Sequence, residues 1–260
     1  MIKRCVVDLT EIARGCPSSK LKFVMKEQRL TIDFESDQLF PNSEYDKIVR
    51  MVIPGYEALH TLAQSFFHSK LLEEANLLVV GAGTGMELIT LGKSNSKWHL
   101  LGVEPSNSML AIAQEKIEEH GLSNRVKLHH GYTHELAITP LYDGATCILV
   151  MHFLPDDGSK LVLLQSIAQR LKSNAYFILV DMFGEQDTEI FEQLASVWKI
   201  HGQEMGFSAE KLAEMLETAR KGIYSISEQR VFELLQSAGF GNIVRFYTAL
   251  WYGGWVATKN

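Results

Sequence analysis

Cysteine is scarce in this chain of 260 residues: Cys5, Cys16 and Cys147 stand alone, with no CxxC pair. That leaves neither a zinc-ligand spacing nor a disulfide framework. Long apolar runs are also missing, and without about 18 consecutive apolar residues no membrane-spanning helix is expected. The basic start Met1-Ile-Lys-Arg-Cys-Val-Val-Asp8 lacks the apolar core of a signal peptide, so a cytoplasmic location is expected. Positive charge is short too: 25 Lys and Arg against 31 Asp and Glu give a net charge of −6. A general nucleic-acid binder needs basic surface to replace counterions, so nucleic acid is not the expected partner, although a local patch could still hold one as substrate. What is present is ordinary. With 46% hydrophobic and 22% charged residues the chain is too apolar for disorder and lacks collagen or coiled-coil bias, and its length suits one large domain, or one domain with an added subdomain.

The first forty residues differ from the rest. Leu21, Phe23 and Met25, then Leu30, Ile32 and Phe34, alternate with polar positions, which predicts a β-hairpin over about 21–35 in an N-terminal extension spanning 1–40. That hairpin is either a peripheral decoration or a dimer contact. Pro41-Asn-Ser-Glu predicts a helix start capped by Asn42 or Ser43, and Pro54-Gly55 separates it from a second helix ending near His68. From Asn76 on, short apolar runs alternate with amphipathic helices. Strands are expected at Leu77–Val80, Trp98–Val103, Val126–His129, Ala145–Met151 and Tyr176–Val180. Helices are expected at Met86–Lys93, Asn107–His120 and Asp157–Leu171. This βαβ succession predicts an α/β fold, a mostly parallel sheet with helices on both faces. A helical insert over 185–222, a helix at 226–237 and two closing strands, Ile243–Leu250 and Trp255–Thr258, complete the domain of 41–260.

The most informative segment is Leu77-Leu-Val-Val-Gly-Ala-Gly-Thr-Gly-Met86. Gly81, Gly83 and Gly85 lie between a strand and a helix, where glycine permits a tight turn and close approach of a ligand to the backbone. Glu104 ends the next strand, 19 residues after Gly85, where a carboxylate can accept both hydroxyls of an adenosine ribose. A dinucleotide and S-adenosylmethionine both suit such a site. The dinucleotide fingerprint wants a sixth-position glycine, and Met86 stands there.

Gly81-Ala-Gly-Thr-Gly85, Val103-Glu-Pro-Ser-Asn-Ser-Met109, Tyr142-Asp143 with Met151-His-Phe-Leu154, and Ser237-Ala-Gly-Phe240 occur in order over residues 40–260. In these motifs the chain resembles class I S-adenosylmethionine-dependent methyltransferases. The resemblance implies a Rossmann-like fold with a seven-stranded sheet and a C-terminal antiparallel hairpin. It also implies S-adenosyl-L-methionine as cofactor and S-adenosyl-L-homocysteine as product, and says nothing of the substrate; a small-molecule acceptor is the leading reading. A narrower likeness, in Val52-Ile-Pro-Gly-Tyr56, Glu204-Met-Gly-Phe207 and Gly253-Gly-Trp-Val-Ala-Thr-Lys259, is to carboxy-S-adenosylmethionine synthases. That family is dimeric, converts the cofactor using prephenate and acts in tRNA wobble-uridine modification. A homodimer is therefore an expectation here. The family's carboxylate-binding arginine corresponds to Leu216; Arg220 lies one turn further along, on the same helix face.

The resemblance implies that Gly81, Ala82, Gly83 and Gly85 pass under the methionine part of the cofactor. Glu104 would hold the ribose, and Pro105, Met109 and Val150 would line the site, although a lone methionine such as Met109 is more often core. The family's acidic residue two positions before the first glycine is Val79 here, which accepts no hydrogen bond. Its aspartate near the adenine is replaced by Gly131-Tyr132-Thr133, where Tyr132 could stack on the ring or Thr133 supply a polar contact. Tyr45 and Tyr56 either cover the sulfonium by cation–π attraction or pack the helix core. His152 and Asp181, at the ends of the fourth and fifth strands, are candidate proton acceptors or walls. Trp251 is either a substrate-pocket wall or core. The adjacent His129 and His130 point to opposite faces of a strand, and no metal site is expected. Three functions follow: methyl transfer, formation or use of a carboxylated cofactor with Arg220 as anion binder, or a non-catalytic cofactor-binding module.

Overall fold

The computed structural model describes residues 42–260; the expected hairpin over 21–35 lies outside the described residues. A one-turn 3-10 helix, Asn42–Glu44, leads into α1 (Tyr45–Val52), and α2 (Tyr56–Lys70) follows. The expected cap at Asn42 or Ser43 is not formed. Glu44 occupies that position with no side-chain bond, and Asn42 Nδ2 instead donates to Ser108 Oγ at 2.8 Å. Gly55, at φ 74°, supplies the left-handed residue that reverses the chain between the two helices. Tyr56, Leu59, His60, Ala63 and Phe67 then bury one helical face of α2.

The sheet contains β1 (Ala75–Val80), β2 (Trp98–Glu104), β3 (Val126–His130), β4 (Tyr142–Ile148), β5 (Leu171–Met182), β6 (Phe240–Ala249) and β7 (Tyr252–Lys259). Their order is β3-β2-β1-β4-β5-β7-β6, parallel except for β7, which runs antiparallel to both β5 and β6. Between the strands lie α3 (Met86–Ser94), α4 (Asn107–Glu119), α5 (Ser159–Ala168), α6 (Glu189–Glu204), α7 (Ala209–Gly222) and α8 (Glu228–Ser237). This is the α/β sheet expected from the βαβ pattern, in the Rossmann-like form that the resemblance implied.

Period-two alternation divides the core. Leu77 and Val79 face Leu59, Phe67, Leu88, Leu91, Trp198 and Leu212 on one side of the sheet. Leu78 and Val80 face Leu164, Ile167, Val231 and Leu234 on the other. β4 ends at Ile148, short of the expected Met151. Leu149 takes φ 59°, and Met151–Phe153 forms a one-turn 3-10 helix. An unbroken apolar run carries no sign of that left-handed residue. α5 starts after Gly158 (φ 110°), at Ser159 rather than Asp157, because Asp157 Oδ1 accepts the Ser159 N–H at 3.2 Å.

The helical insert docks firmly. Thr188 and Ser208 cap α6 and α7 by accepting the N–H groups of Phe191 and Lys211. Trp198 Nε1 donates to the Val52 carbonyl at 2.8 Å, and Phe191 stacks on Trp251 with centroids 4.9 Å apart. The insert is thereby tied to α1 on one side and to the β6–β7 turn on the other. No helix among the described residues is long and apolar enough to cross a membrane.

β1 has β2 on one side and β4 on the other, so the chain switches direction across the sheet at the carboxyl end of β1, where open α/β sheets bind ligands. Gly85 holds the turn there at φ 84°, and an added Cβ would lie 3.0 Å from Ala113 Cβ and 3.1 Å from its Cα. Gly121 also has a positive φ, of 65°, but an added Cβ would meet nothing within 4 Å. Gly121→Ala should cost about 1 kcal/mol from backbone strain alone, and Gly85→Ala distinctly more because α4 must also move. Urea unfolding midpoints of the two variants check that order.

Candidate cofactor and acceptor site

The glycine turn is built by backbone hydrogen bonds. Gly81 and Ala82 N–H donate to the Val103 carbonyl at 2.8 and 3.0 Å. Glu104 accepts the Gly83 N–H through Oε2 and the Ser106 N–H through Oε1, both at 3.0 Å. At Gly81 a Cβ would stand 2.2 Å from Val150 Cγ2, so only glycine lets the turn close over Val150. At Gly83 a Cβ would meet nothing within 4 Å, which leaves open backbone for a ligand. Ser106 caps α4 through the Met109 N–H at 3.2 Å. Met109 itself is core, whereas Pro105 is exposed and its carbonyl meets His130 Nε2 at 2.9 Å.

α1 closes over this turn. Asp46 accepts from Thr84 Oγ1 of the glycine turn and from Lys116 Nζ of α4. Arg50 reaches Met86 Sδ at 3.3 Å and Glu57 Oε1 at 2.7 Å. Tyr45 and Tyr56 therefore lie inside the closure. Burial, then Glu104, holds the Tyr45 phenol above its ordinary range, and burial, then Tyr45, Asp46 and Glu87, does the same for Tyr56. The half-buried Tyr45 thus lies near Glu104, and the buried Tyr56 near Tyr45 and Glu87.

Glu87, in the first turn of α3, is 8% exposed. Burial pushes its carboxyl up from 4.5 to about 7, partly offset by the facing Thr146 hydroxyl. Glu87 Oε1 and Thr146 Oγ1 are both buried without a hydrogen-bond partner among the described residues.

At the carboxyl ends of β4 and β5 two of the separate candidates, His152 and Asp181, come together. His152 Nδ1 bonds Asp181 Oδ1, both side chains being buried, and Asp181 also accepts the Met182 N–H at 3.0 Å. Beneath them Lys160, fully buried, donates to the Met151 carbonyl at 2.8 Å and pins the turn that carries His152. Burial lowers the Lys160 pKa, and Asp181 is the first of the groups that oppose this.

The remaining candidates lie apart from this centre. Arg220 pairs with Glu192 at 2.5 Å and lies over the Phe191 ring, 5.6 Å from its centroid. Leu216 is buried. Trp251 is packed between Phe191, Trp198 and Tyr252. Tyr132 is 51% exposed and stacks on His134, while Thr133 is buried.

Glu87, Asp46, Thr84 and Lys160 were not singled out by the sequence. An acid in a helix's first turn and a lysine on an amphipathic helix ordinarily mean helix-dipole complementation and a solvated face. Here both turn inward.

Comparison with known proteins agrees with this geometry. Residues 78–177 match the methyltransferase domain family. The fold is the one that S-adenosylmethionine-dependent methyltransferases share. The carboxy-S-adenosyl-L-methionine synthase of Campylobacter hominis is 25% identical over 202 residues, covering 76% of this chain and 83% of the relative. That of Campylobacter concisus is 23% identical over 218 residues, covering 84% and 91%. Among solved structures, magnesium protoporphyrin IX methyltransferase from Synechocystis PCC 6803, with bound S-adenosylhomocysteine, superposes with TM-score 0.61 at 15% identity over 84% of this chain and 94% of the neighbour. Mitomycin 7-O-methyltransferase gives 0.60 at 17% identity, over 84% of this chain and 56% of the neighbour. S-adenosylmethionine fits the methyltransferase site: Gly83 offers open backbone, Glu104 stands at the end of β2, and a buried carboxyl adjoins the turn.

The folded protein holds the Glu87 proton more tightly than the unfolded chain does. Stability should therefore fall as pH rises from about 4.5 and stop falling above about 7, by up to about 3 kcal/mol. Glu87→Gln should lose that slope and exceed the wild type in stability at pH 8. Paired urea titrations at pH 5 and pH 8 measure the difference.

Proposed function

We propose that this chain transfers a methyl group to a small-molecule acceptor whose nucleophile must lose a proton, such as a hydroxyl. The buried His152–Asp181 pair at the sheet's carboxyl edge carries the reading. With its proton on Nδ1 and donated to Asp181, His152 keeps a lone pair on Nε2, where an acceptor proton can go. Asp181 orients the ring and favours the charged imidazolium once the proton has moved. Lys160 fixes the turn beneath them. When bound, the cofactor supplies the electrophilic methyl carbon on its sulfonium. The glycine turn and Glu104 hold it, and Tyr45 and Tyr56 exclude water. The α6–α7 insert selects the acceptor and aligns its nucleophile in line with the methyl carbon, about 3 Å away, where most of the acceleration arises. The same reading takes the protein as cytoplasmic and homodimeric, with no nucleic-acid partner.

A second reading, formation of a carboxylated cofactor, is favoured by the likeness to carboxy-S-adenosyl-L-methionine synthases over most of their length. The buried Leu216 and the engagement of Arg220 by Glu192 count against it.

Mass spectrometry of the gently purified protein should find S-adenosylmethionine or S-adenosylhomocysteine. A carboxylated species, formed with prephenate and lost on Arg220→Ala, would establish the second reading. With an acceptor identified by S-adenosylhomocysteine release from a panel of phenols and catechols, His152→Gln should lower kcat about 10²- to 10⁴-fold and leave S-adenosylhomocysteine affinity intact. An unchanged kcat would reduce His152 to a wall.

A further inference from the structure

Three of the four carboxyls around the glycine turn have strong partners. Glu104 accepts two backbone amides, Asp46 accepts from Thr84 and Lys116, and Glu57 pairs with Arg50. Glu87 differs. Its Oε1 is buried and unpartnered among the described residues, and the Thr146 hydroxyl it faces is unpartnered as well. A buried carboxyl whose one close polar neighbour is a hydroxyl that only partly offsets its burial is costly to leave so, and a polar ligand group would relieve it.

Their location identifies that group. Thr146 is the register partner of Val79 across β1 and β4, two residues before Gly81. Glu87 follows Gly85 by two positions. The pair therefore lies just beneath the glycine turn, beside Tyr56. Glu104, at the tip of β2, lies near Tyr45, which is in turn a neighbour of Tyr56. S-adenosylmethionine carries ribose hydroxyls at one end of its sulfonium and an ammonium group at the other. With the ribose at Glu104, the amino-acid end extends toward Glu87. Val79, at the same level of the sheet, offers no acceptor.

We propose, on the cofactor assignment above, that Glu87, with Thr146, binds the ammonium group of the cofactor's amino-acid end and so distinguishes intact S-adenosyl compounds from adenosine thioethers lacking that end. The groups whose electrostatics are tied to Glu87 are Tyr56 from α2 and Thr146 from β4, with Cys147 on the opposite face of β4. None of these is a cation, so the ligand's ammonium would be the first positive partner that the carboxyl meets. An arriving ammonium draws the carboxyl into its ionised form, and a charge-assisted hydrogen bond replaces the desolvated acid.

Calorimetry of the full chain tests this with two probes: S-adenosylhomocysteine, which has the amino-acid end, and 5′-methylthioadenosine, which lacks it. Glu87→Gln should weaken S-adenosylhomocysteine about ten- to hundredfold and leave 5′-methylthioadenosine unchanged. Retained 5′-methylthioadenosine binding also shows that the variant is folded. Should Glu87→Gln not fold, Thr146→Val reads the same end of the site, with the same selective loss expected. Equal S-adenosylhomocysteine affinity in variant and wild type overturns the proposal, and so does an equal loss of both probes. Failure of the wild type to bind either probe removes the cofactor assignment itself, and the role of Glu87 with it.

Discussion

Glu104 holds the centre of this molecule together with two hydrogen bonds. Its carboxylate accepts the amide of Gly83 from the turn after β1 and the amide of Ser106 from the start of α4. Two separate chain reversals are thereby fixed to the tip of one strand. Because β2 is registered against β1 and β3 by parallel ladders, that tip cannot shift without disturbing the sheet. The glycine turn closes only because Gly81 has no side chain to strike Val150, which links the same point to the end of β4. The switch point is thus braced from both neighbouring strands, and a carboxylate suited to ribose hydroxyls already forms part of the brace. Charge-assisted bonds to backbone amides keep that side chain in place before any ligand arrives.

Around this brace the protein buries ionisable groups that a purely structural core would leave out. Glu87, His152, Asp181 and Lys160 all lie in the interior near the carboxyl edge of the sheet. Desolvation makes each costly as a charge, and a hydrophobic replacement of similar volume is often more stable. Their concentration at the edge where such sheets bind ligands is what distinguishes a working site from a packing layer. The helical layer over them is different in kind. Phe191, Trp198 and Trp251 pack ring against ring, and the Trp198 indole reaches the end of α1. That layer ties the helical insert to the end of α1 and to the β6–β7 turn.

Much of the architecture was legible in the chain. The runs at Leu77–Val80, Trp98–Val103 and Val126–His129 became β1, β2 and β3 with boundaries shifted by a residue or two, because strands buried on both faces must be continuously apolar. The glycines at 81, 83 and 85 and Glu104 were legible for the same reason: a tight turn and a strand-end carboxylate need those residue types at that spacing. The end of β4 was not legible. Leu149 adopts a left-handed conformation that its side chain does not favour, and only the packing around it accounts for that. The caps expected at Asn42 or Ser43 also failed, since Asn42 is drawn into a bond with a residue 66 positions away.

For the site, the sequence by itself determined the glycine turn and the strand-end carboxylate of an adenosine-type ligand site, because both depend on local backbone chemistry that residue types announce; the choice of S-adenosylmethionine rested on the resemblance in the motifs. The sequence also put His152 and Asp181 at adjacent strand ends. Only the tertiary structure decided that their side chains meet, that Asp46 reaches across to Thr84 and Lys116, and that Arg220 is engaged by Glu192. It alone turned Glu87 and Lys160 inward. Which face of a helix is buried at its ends depends on what packs against it, and that information lies in residues distant along the chain.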